Sequence, residues 1–172
     1  MTQTTEVGLL LESFSRNSRV NEAVLDAITE KDLTLGDGQG GWSIGQHLGH
    51  LAEFRYGWLN FISPQHAKDI PSVVEGDAQD FHLTAQSLDE LKGAFAAGDD
   101  AALEAVMSAL DENRVFEGAY RSHPAHFLQH IIVHDSHHRG QILSLLRRGG
   151  WTREQLSALG DATWSIWNEE QL

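Results

Sequence analysis

Six of the chain's ten histidines lie between His123 and His138, within the stretch HPAHFLQHIIVHDSHHRGQ. Imidazole titrates near neutral pH and is the commonest metal-ligating side chain. His134 and His138 are four residues apart, so on a helix both rings lie on one face, as in the HExxH helices of zinc enzymes. This spacing is typical of a metal site, but it also fits two core-edge histidines that bond a backbone carbonyl or water.

The remaining histidines of this segment are predicted to lie away from the core. On a helical wheel the apolar residues form one arc, and His134 and His138 border it. Three histidines lie further from the apolar arc and are predicted at the surface or at an interface: His126, His130 and His137. His123 precedes the predicted helix.

Asp135 and Arg139 fall on the apolar side of the same predicted helix. A buried guanidinium needs a carboxylate or carbonyl partner, so a structural ion pair is the favoured interpretation of Arg139. Asp135 could pair with Arg139 at i,i+4, or it could accept a hydrogen bond from a metal-ligating imidazole.

A catalytic metal site of this kind commonly has three protein ligands. The other close histidine pair is His47 and His50, in WSIGQHLGHLAEF. His47 lies nearer than His50 to the apolar face around Leu51, and the wheel leaves open which of the two is a ligand.

Apolar residues recur at three- and four-residue intervals, and the chain contains only three prolines, which predicts a mainly helical fold. Four long helices and one long connection predict an all-α, antiparallel four-helix bundle with a long crossover loop and short extra C-terminal helices. We expect a single domain over 1–172, with a core of about 5–150 and a tail over 151–172.

The predicted boundaries follow from capping and breaking residues. The first helix is expected over 5–29, with a bend or an exposed section at SRNSR in its middle. A capping box of Ser43 and Gln46 opens the second helix, which runs to the break at Ser63-Pro64. After the crossover, further helices are expected over 84–97, 100–112 and 124–148, and the tail as one short helix plus a docked aromatic segment.

The composition excludes several classes of function. A net charge of −13 argues against nucleic acid and anionic membranes as partners, because both attract clusters of Lys and Arg. The chain has no cysteine, so thiolate metal sites and cysteine nucleophiles are excluded. No apolar run reaches the roughly 18–20 residues of a membrane span, and no signal peptide is recognised, so a cytoplasmic location is expected.

Two motifs together resemble the DinB/YfiT-like proteins. One is Trp42-Ser43 at the start of a helix with His50 eight positions after the tryptophan, and the other is HDSHHRGQ from His134 to Gln141. The resemblance covers roughly residues 5–150. It implies a four-helix bundle, frequently a homodimer, that holds a divalent ion with three histidines, carried over here to His50, His134 and His138.

The resemblance also directs the functional hypotheses. Relatives of this fold include transferases and an isomerase that use low-molecular-weight thiols, and others are thought to be hydrolases. The leading hypothesis is therefore a metal-dependent enzyme acting on a small molecule, with zinc first and nickel second as the ion. His47 and Asp135 are the candidates for a catalytic base.

Two alternatives remain at this point. In a non-catalytic module the ion would hold helices together, or the histidines would sense metal or pH. A metalloprotease is disfavoured, because aspartate replaces the glutamate of HExxH and Asp135 is predicted to face inward. Trp42 is expected to pack at the start of its helix. Trp58, Trp164 and Trp167 are expected in the core or in tail docking, and the alternative is that one of them lines a pocket.

Overall fold

The computed structural model describes residues 5–76 and 81–168, and it confirms the predicted all-α bundle. Four long helices form the bundle, and a short helix, a two-stranded hairpin and a C-terminal helix complete it. The helices are α1 (Glu6–Ala27), α2 (Ile44–Ile62), α3 (Pro64–Ala67), α4 (Leu88–Asp111), α5 (His126–Arg148) and α6 (Arg153–Asn168), and the antiparallel strands are β1 (Val74–Gly76) and β2 (Phe81–Leu83).

Side-chain caps set the start of three long helices. The Thr5 hydroxyl accepts from the backbone N–H of Gly8 at 3.1 Å, and Ser87 accepts from Glu90 at 3.2 Å. At α2 the predicted capping box is present, since the Ser43 hydroxyl accepts from the Gln46 N–H at 3.2 Å and the Gln46 side chain accepts from the Ser43 N–H at 2.9 Å.

The prediction of two separate helices over 84–97 and 100–112 was wrong. One helix, α4, runs through the Gly-Asp-Asp sequence without a break. Gly98 serves packing here: a Cβ at this position would lie 2.9 Å from Cδ of Arg55 on α2. The glycine therefore admits a buried arginine, and the adjacent Asp99 pairs with that arginine at 2.6 Å.

The crossover between α2 and α4 contains a hairpin that packs against α2. Its hairpin pairs Val74 with Leu83 and Gly76 with Phe81. A Cβ at Gly49 of α2 would meet Val74 at 2.7 Å, so the glycine allows the hairpin to lie close to the helix. Among the acids of the crossover, Asp69 and Glu75 are exposed, and Asp77 and Asp80 lie outside the described residues.

The C-terminal tail differs from its prediction. It forms a single helix, α6, which packs against α1 and buries Leu159 and Ile166. Trp164 and Trp167 were expected in the core or in tail docking, with pocket lining by one of them as the alternative. Their surfaces are 68% and 37% exposed, and both line a groove between α1, α5 and α6. Trp58 is half-buried beside the core, as expected.

Within residues 5–76 and 81–168, no helix combines the length and the apolar character needed to cross a membrane.

The polar middle of α1, for which an exposed section was predicted, is exposed only in part. Of the SRNSR residues, Ser15 is exposed, Ser18 and Arg19 are half-buried, and Arg16 and Asn17 are buried. Asn17 is fully buried and Asn21 is 4% exposed. Each donates its side-chain amide to the Asp135 carboxylate of α5 at 2.7 Å. A buried polar group is tolerated where it is hydrogen-bonded, and both amide nitrogens meet that condition, whereas Oδ1 of Asn17 is buried without a partner among the described residues.

Arg55 of α2 is the centre of this buried polar cluster and is fully buried. Its Nη1 and Nη2 donate to the two oxygens of Asp135 at 3.0 and 2.7 Å, and its Nε donates to Asp99 at 2.6 Å. Burial raises the pKa of Asp135, but the Arg55 charge and the hydrogen bonds from Arg55 and Asn21 lower it below its usual value overall. The pKa of Asp99 stays raised, since burial outweighs its contact with Arg55.

Arg139 lies at the edge of the cluster, as its position on the wheel predicted. Its Nη1 donates to Oδ1 of Asn21 at 2.5 Å and lies 4.0 Å from the Asp135 carboxylate. Burial lowers the pKa of Arg139, and Asp135 opposes that shift. The predicted ion pair with Asp135 is thus present but long, and Arg55 is the main partner of this carboxylate.

Replacing Arg55 tests the energetic role of the cluster. Arg55→Leu leaves the Asp135 and Asp99 carboxyl groups buried without their cation, and we expect the free energy of unfolding to fall by about 3–5 kcal/mol. Urea titration followed by circular dichroism measures this change. The matched control is Arg114→Leu, which removes a surface pair with Glu112 and should leave the midpoint close to that of the parent chain. Equal midpoints for the two variants would contradict this role.

Candidate metal centre

Three histidines from two helices converge on one point. His50 of α2 and His134 and His138 of α5 each offer a ring nitrogen, and these nitrogens all lie within 4.8 Å of one another. Nε2 of His50 lies 3.1 Å from Nε2 of His134. Zn–N bonds of about 2.0–2.1 Å place two nitrogens of a tetrahedral site roughly 3.4 Å apart, so this arrangement is close to that of ligands sharing an ion.

Local helix geometry and helix packing together produce this group. The capping box at Ser43 sets the start of α2 and places His50 about two turns into the helix. The i,i+4 spacing on α5 puts His134 and His138 on one face, and their ring centroids are 4.7 Å apart. Packing of α2 against α5 then brings the two faces together.

His47 lies beside the group, and only 6% of its surface is exposed. Its Nδ1 lies 2.9 Å from Nδ1 of His138. One nitrogen of this pair must carry a proton for a hydrogen bond to form. Because Nδ1 of His138 faces His47, Nε2 is the nitrogen of His138 left to bind an ion.

Aromatic rings surround the histidines. Trp42 was expected to be a packing residue at the start of α2, and it packs on the histidines themselves, with ring centroids 4.9 Å from His50 and 6.0 Å from His138. Phe54 stacks on His134 at 3.9 Å. Phe81 of the hairpin contacts Trp42 at 5.0 Å, so the hairpin lies against this end of the site.

Burial keeps these imidazoles neutral at pH 7. Desolvation, with smaller contributions from neighbouring histidines, lowers the pKa of His47 to about 4, of His134 to about 4 and of His138 to about 3. Desolvation also lowers the pKa of His50. A neutral imidazole offers a lone pair to an ion without first losing a proton. The donor set thus fits a divalent ion that accepts nitrogen ligands.

Asp135 is not available as a catalytic base, which corrects its inclusion as a candidate. Its carboxylate is fully buried and accepts hydrogen bonds from Arg55, Asn17 and Asn21. It also does not orient His134, since Nδ1 of that ring is buried without a hydrogen-bond partner among the described residues. The similarity to a protease HExxH helix therefore does not extend to the catalytic carboxylate.

The other histidines of α5 lie outside the group. His126 and His137 are exposed, in agreement with the wheel. His130 is half-buried, which the wheel did not predict, because Nδ1 of His130 lies 2.8 Å from the Tyr120 hydroxyl and its ring contacts Phe54 edge-on at 5.0 Å.

Sequence reasoning missed Arg55, although a signal for it was present. Arg55 lies four residues after Leu51 and four before Leu59, so it continues the apolar stripe of α2. An arginine on such a stripe needs a buried carboxylate partner, and Asp135 was the inward-facing acid of α5. The role of Phe54 left no comparable signal, because it depends on how closely α2 approaches α5.

The low pKa values predict how pH affects folding of the metal-free protein. Histidines of the unfolded chain titrate near about 6.5. Between that value and about pH 4 the unfolded chain binds more protons than the folded chain, so lowering the pH favours unfolding. Urea midpoints in the presence of EDTA should fall as the pH is lowered across this window. The fall should be shallower in His134→Leu/His138→Leu than in His126→Leu, and identical slopes would show that these rings are not buried as neutral groups.

Comparisons with known proteins agree with the architecture. Neither the curated proteins nor the solved structures include a significant match. The family model described as "DinB family" matches residues 1–171, nearly the whole chain. The convergent histidine group also fits metal binding. This chain belongs to the DinB family.

Proposed function

We propose that this protein binds a divalent metal ion through His50, His134 and His138, and that it is a metal-dependent enzyme acting on a small molecule. The observation that carries the proposal is the convergence of three ring nitrogens within 4.8 Å from distant parts of the chain. Imidazole ligands suit zinc, nickel, copper and iron, and zinc followed by nickel are the proposed ions.

An enzymatic role is favoured over a structural one by the number of ligands. Among the described residues the group contains three histidines and no carboxylate. Structural zinc sites are almost always closed by four protein ligands, whereas catalytic sites keep a position open. The bundle also has an extensive apolar core of its own, so folding does not require an ion to join the helices.

When bound, the ion would supply Lewis acidity towards a thiol sulfur or a carbonyl oxygen, or lower the pKa of water. The chain contributes three neutral donors and the partly dry setting made by Trp42, Phe54 and Phe81. Of the two residues predicted as bases, Asp135 is engaged by Arg55 and His47 by His138. We therefore propose a reaction in which the ion itself activates the nucleophile, either a low-molecular-weight thiol for transfer or water for hydrolysis.

The homodimer and the cytoplasmic location expected from the sequence remain predictions.

Metal content of the purified protein tests the ligand assignment. We expect about one divalent ion per chain after purification without a histidine tag, measured by inductively coupled plasma mass spectrometry. His50→Ala and His134→Ala should each lose most of this metal, because two remaining imidazoles bind far more weakly than three. His126→Ala removes an exposed histidine of the same helix and should retain it. Full metal content in both ligand variants would rule out this site.

A thiol titration of the cobalt-substituted protein tests whether the site is open. Because a sulfur ligand adds an intense charge-transfer absorption to cobalt, a small thiol that enters an open position should change the visible and near-ultraviolet spectrum saturably. The thiols that bind should then support transfer to an electrophile in a coupled assay. If neither thiols nor small anions change the cobalt spectrum, the site has no open position, and the non-catalytic metal-binding module is favoured.

A further inference from the structure

We propose that His47 is a positioning residue that holds His138 with its Nε2 towards the ion. The inference rests on the proposed metal site and assigns a role to a histidine that is not among the three ligands. Its basis is the buried contact of 2.9 Å between Nδ1 of His47 and Nδ1 of His138.

The contact joins the two helices that build the site. His47 lies on α2, one turn before His50, and His138 lies on α5, one turn after His134. Both rings are largely buried, at 6% and 7% exposure, and Trp42 contacts both of them. The Trp42 and His138 rings are nearly parallel, with an angle of 14° between their planes. His138 is therefore held between an aromatic face and a hydrogen-bonding ring.

The chemistry of imidazole gives the hydrogen bond a direction. If Nε2 of a neutral His138 donates its lone pair to an ion, the ring proton must be on Nδ1. That N–H then donates to Nδ1 of His47, whose own proton must be on Nε2. His47 thus selects the tautomer of His138 that can bind the ion, and it also limits rotation of the ring.

In many metal sites a carboxylate or a backbone carbonyl accepts this hydrogen bond. Here the neighbouring carboxylate of Asp135 is bound by Arg55, Asn17 and Asn21 in the buried polar cluster. His47 provides a neutral acceptor in its place. His47 does not belong to the group of nitrogens that lie within 4.8 Å of one another, which separates it from the ligands.

Zinc affinity of His47 variants, measured by competition with a chromophoric chelator, tests the role. His47→Leu removes the acceptor, and we expect the dissociation constant for Zn²⁺ to rise about 10–100-fold with one ion still bound per chain. In His47→Asn the side-chain oxygen can lie near the position of Nδ1, so the affinity should remain within a few-fold of the parent value. His126→Leu is the matched control, and circular dichroism checks that each variant is folded.

Long-range ¹H–¹⁵N spectra of the zinc-loaded parent protein give a second readout that a purely structural residue would not change. We expect His138 to carry its proton on Nδ1 and to show a metal-shifted Nε2, and in His47→Leu we expect the Nδ1 proton to exchange faster. Unchanged zinc affinity in His47→Leu would overturn the inference. So would metal bound to Nδ1 of His138, or a loss of binding as complete as in His138→Ala, which would make His47 a ligand. Failure of the parent protein to bind Zn²⁺ would overturn the proposed function itself.

Discussion

The structure depends on the buried ion pair between Arg55 of α2 and Asp135 of α5. Two charges in a bundle interior are costly unless their hydrogen-bonding capacity is satisfied, and here Asn17, Asn21 and Asp99 contribute to that. These residues come from all four long helices. The pair can therefore form with good geometry only in one relative arrangement of α1, α2, α4 and α5.

That constraint also orients the candidate metal centre. Asp135 directly follows His134 and precedes His138 by three residues, so turning its carboxylate towards Arg55 sets the rotation of α5 about its axis. On α2, Arg55 faces the bundle interior. Because His50 precedes Arg55 by five residues, it points in a different direction and lies at the border of the interior. Coupling through one arginine and one aspartate thus brings imidazoles from two distant segments to within ligand distance of one another. The buried cluster and the histidine group are neighbouring parts of one interface.

The division of polar groups has a chemical consequence. Asp135 is held by Arg55, so no carboxylate among the described residues joins the three histidines, and the donors are neutral. Neutral ligands leave the full positive charge of a divalent ion uncompensated, which strengthens its Lewis acidity. The rings of Trp42, Phe54 and Phe81 surround the site, and in such surroundings the charge of a bound ion would be less screened by water.

The sequence by itself determined the helical class, the capping box of α2, the inward direction of Asp135 and the shared face of His134 and His138. Each of these depends on residues within a few turns of one another, and helical periodicity relates such residues directly. The sequence also contains the two motifs that resemble the DinB/YfiT-like proteins, and His50 was assigned as a ligand from that resemblance. Only the tertiary structure decided that α4 continues through Gly98, that Asn17 of SRNSR is buried, and that His47 meets His138. These outcomes depend on contacts between segments far apart in the chain: the space for Arg55 beside Gly98, the carboxylate opposite Asn17, and the distance between α2 and α5.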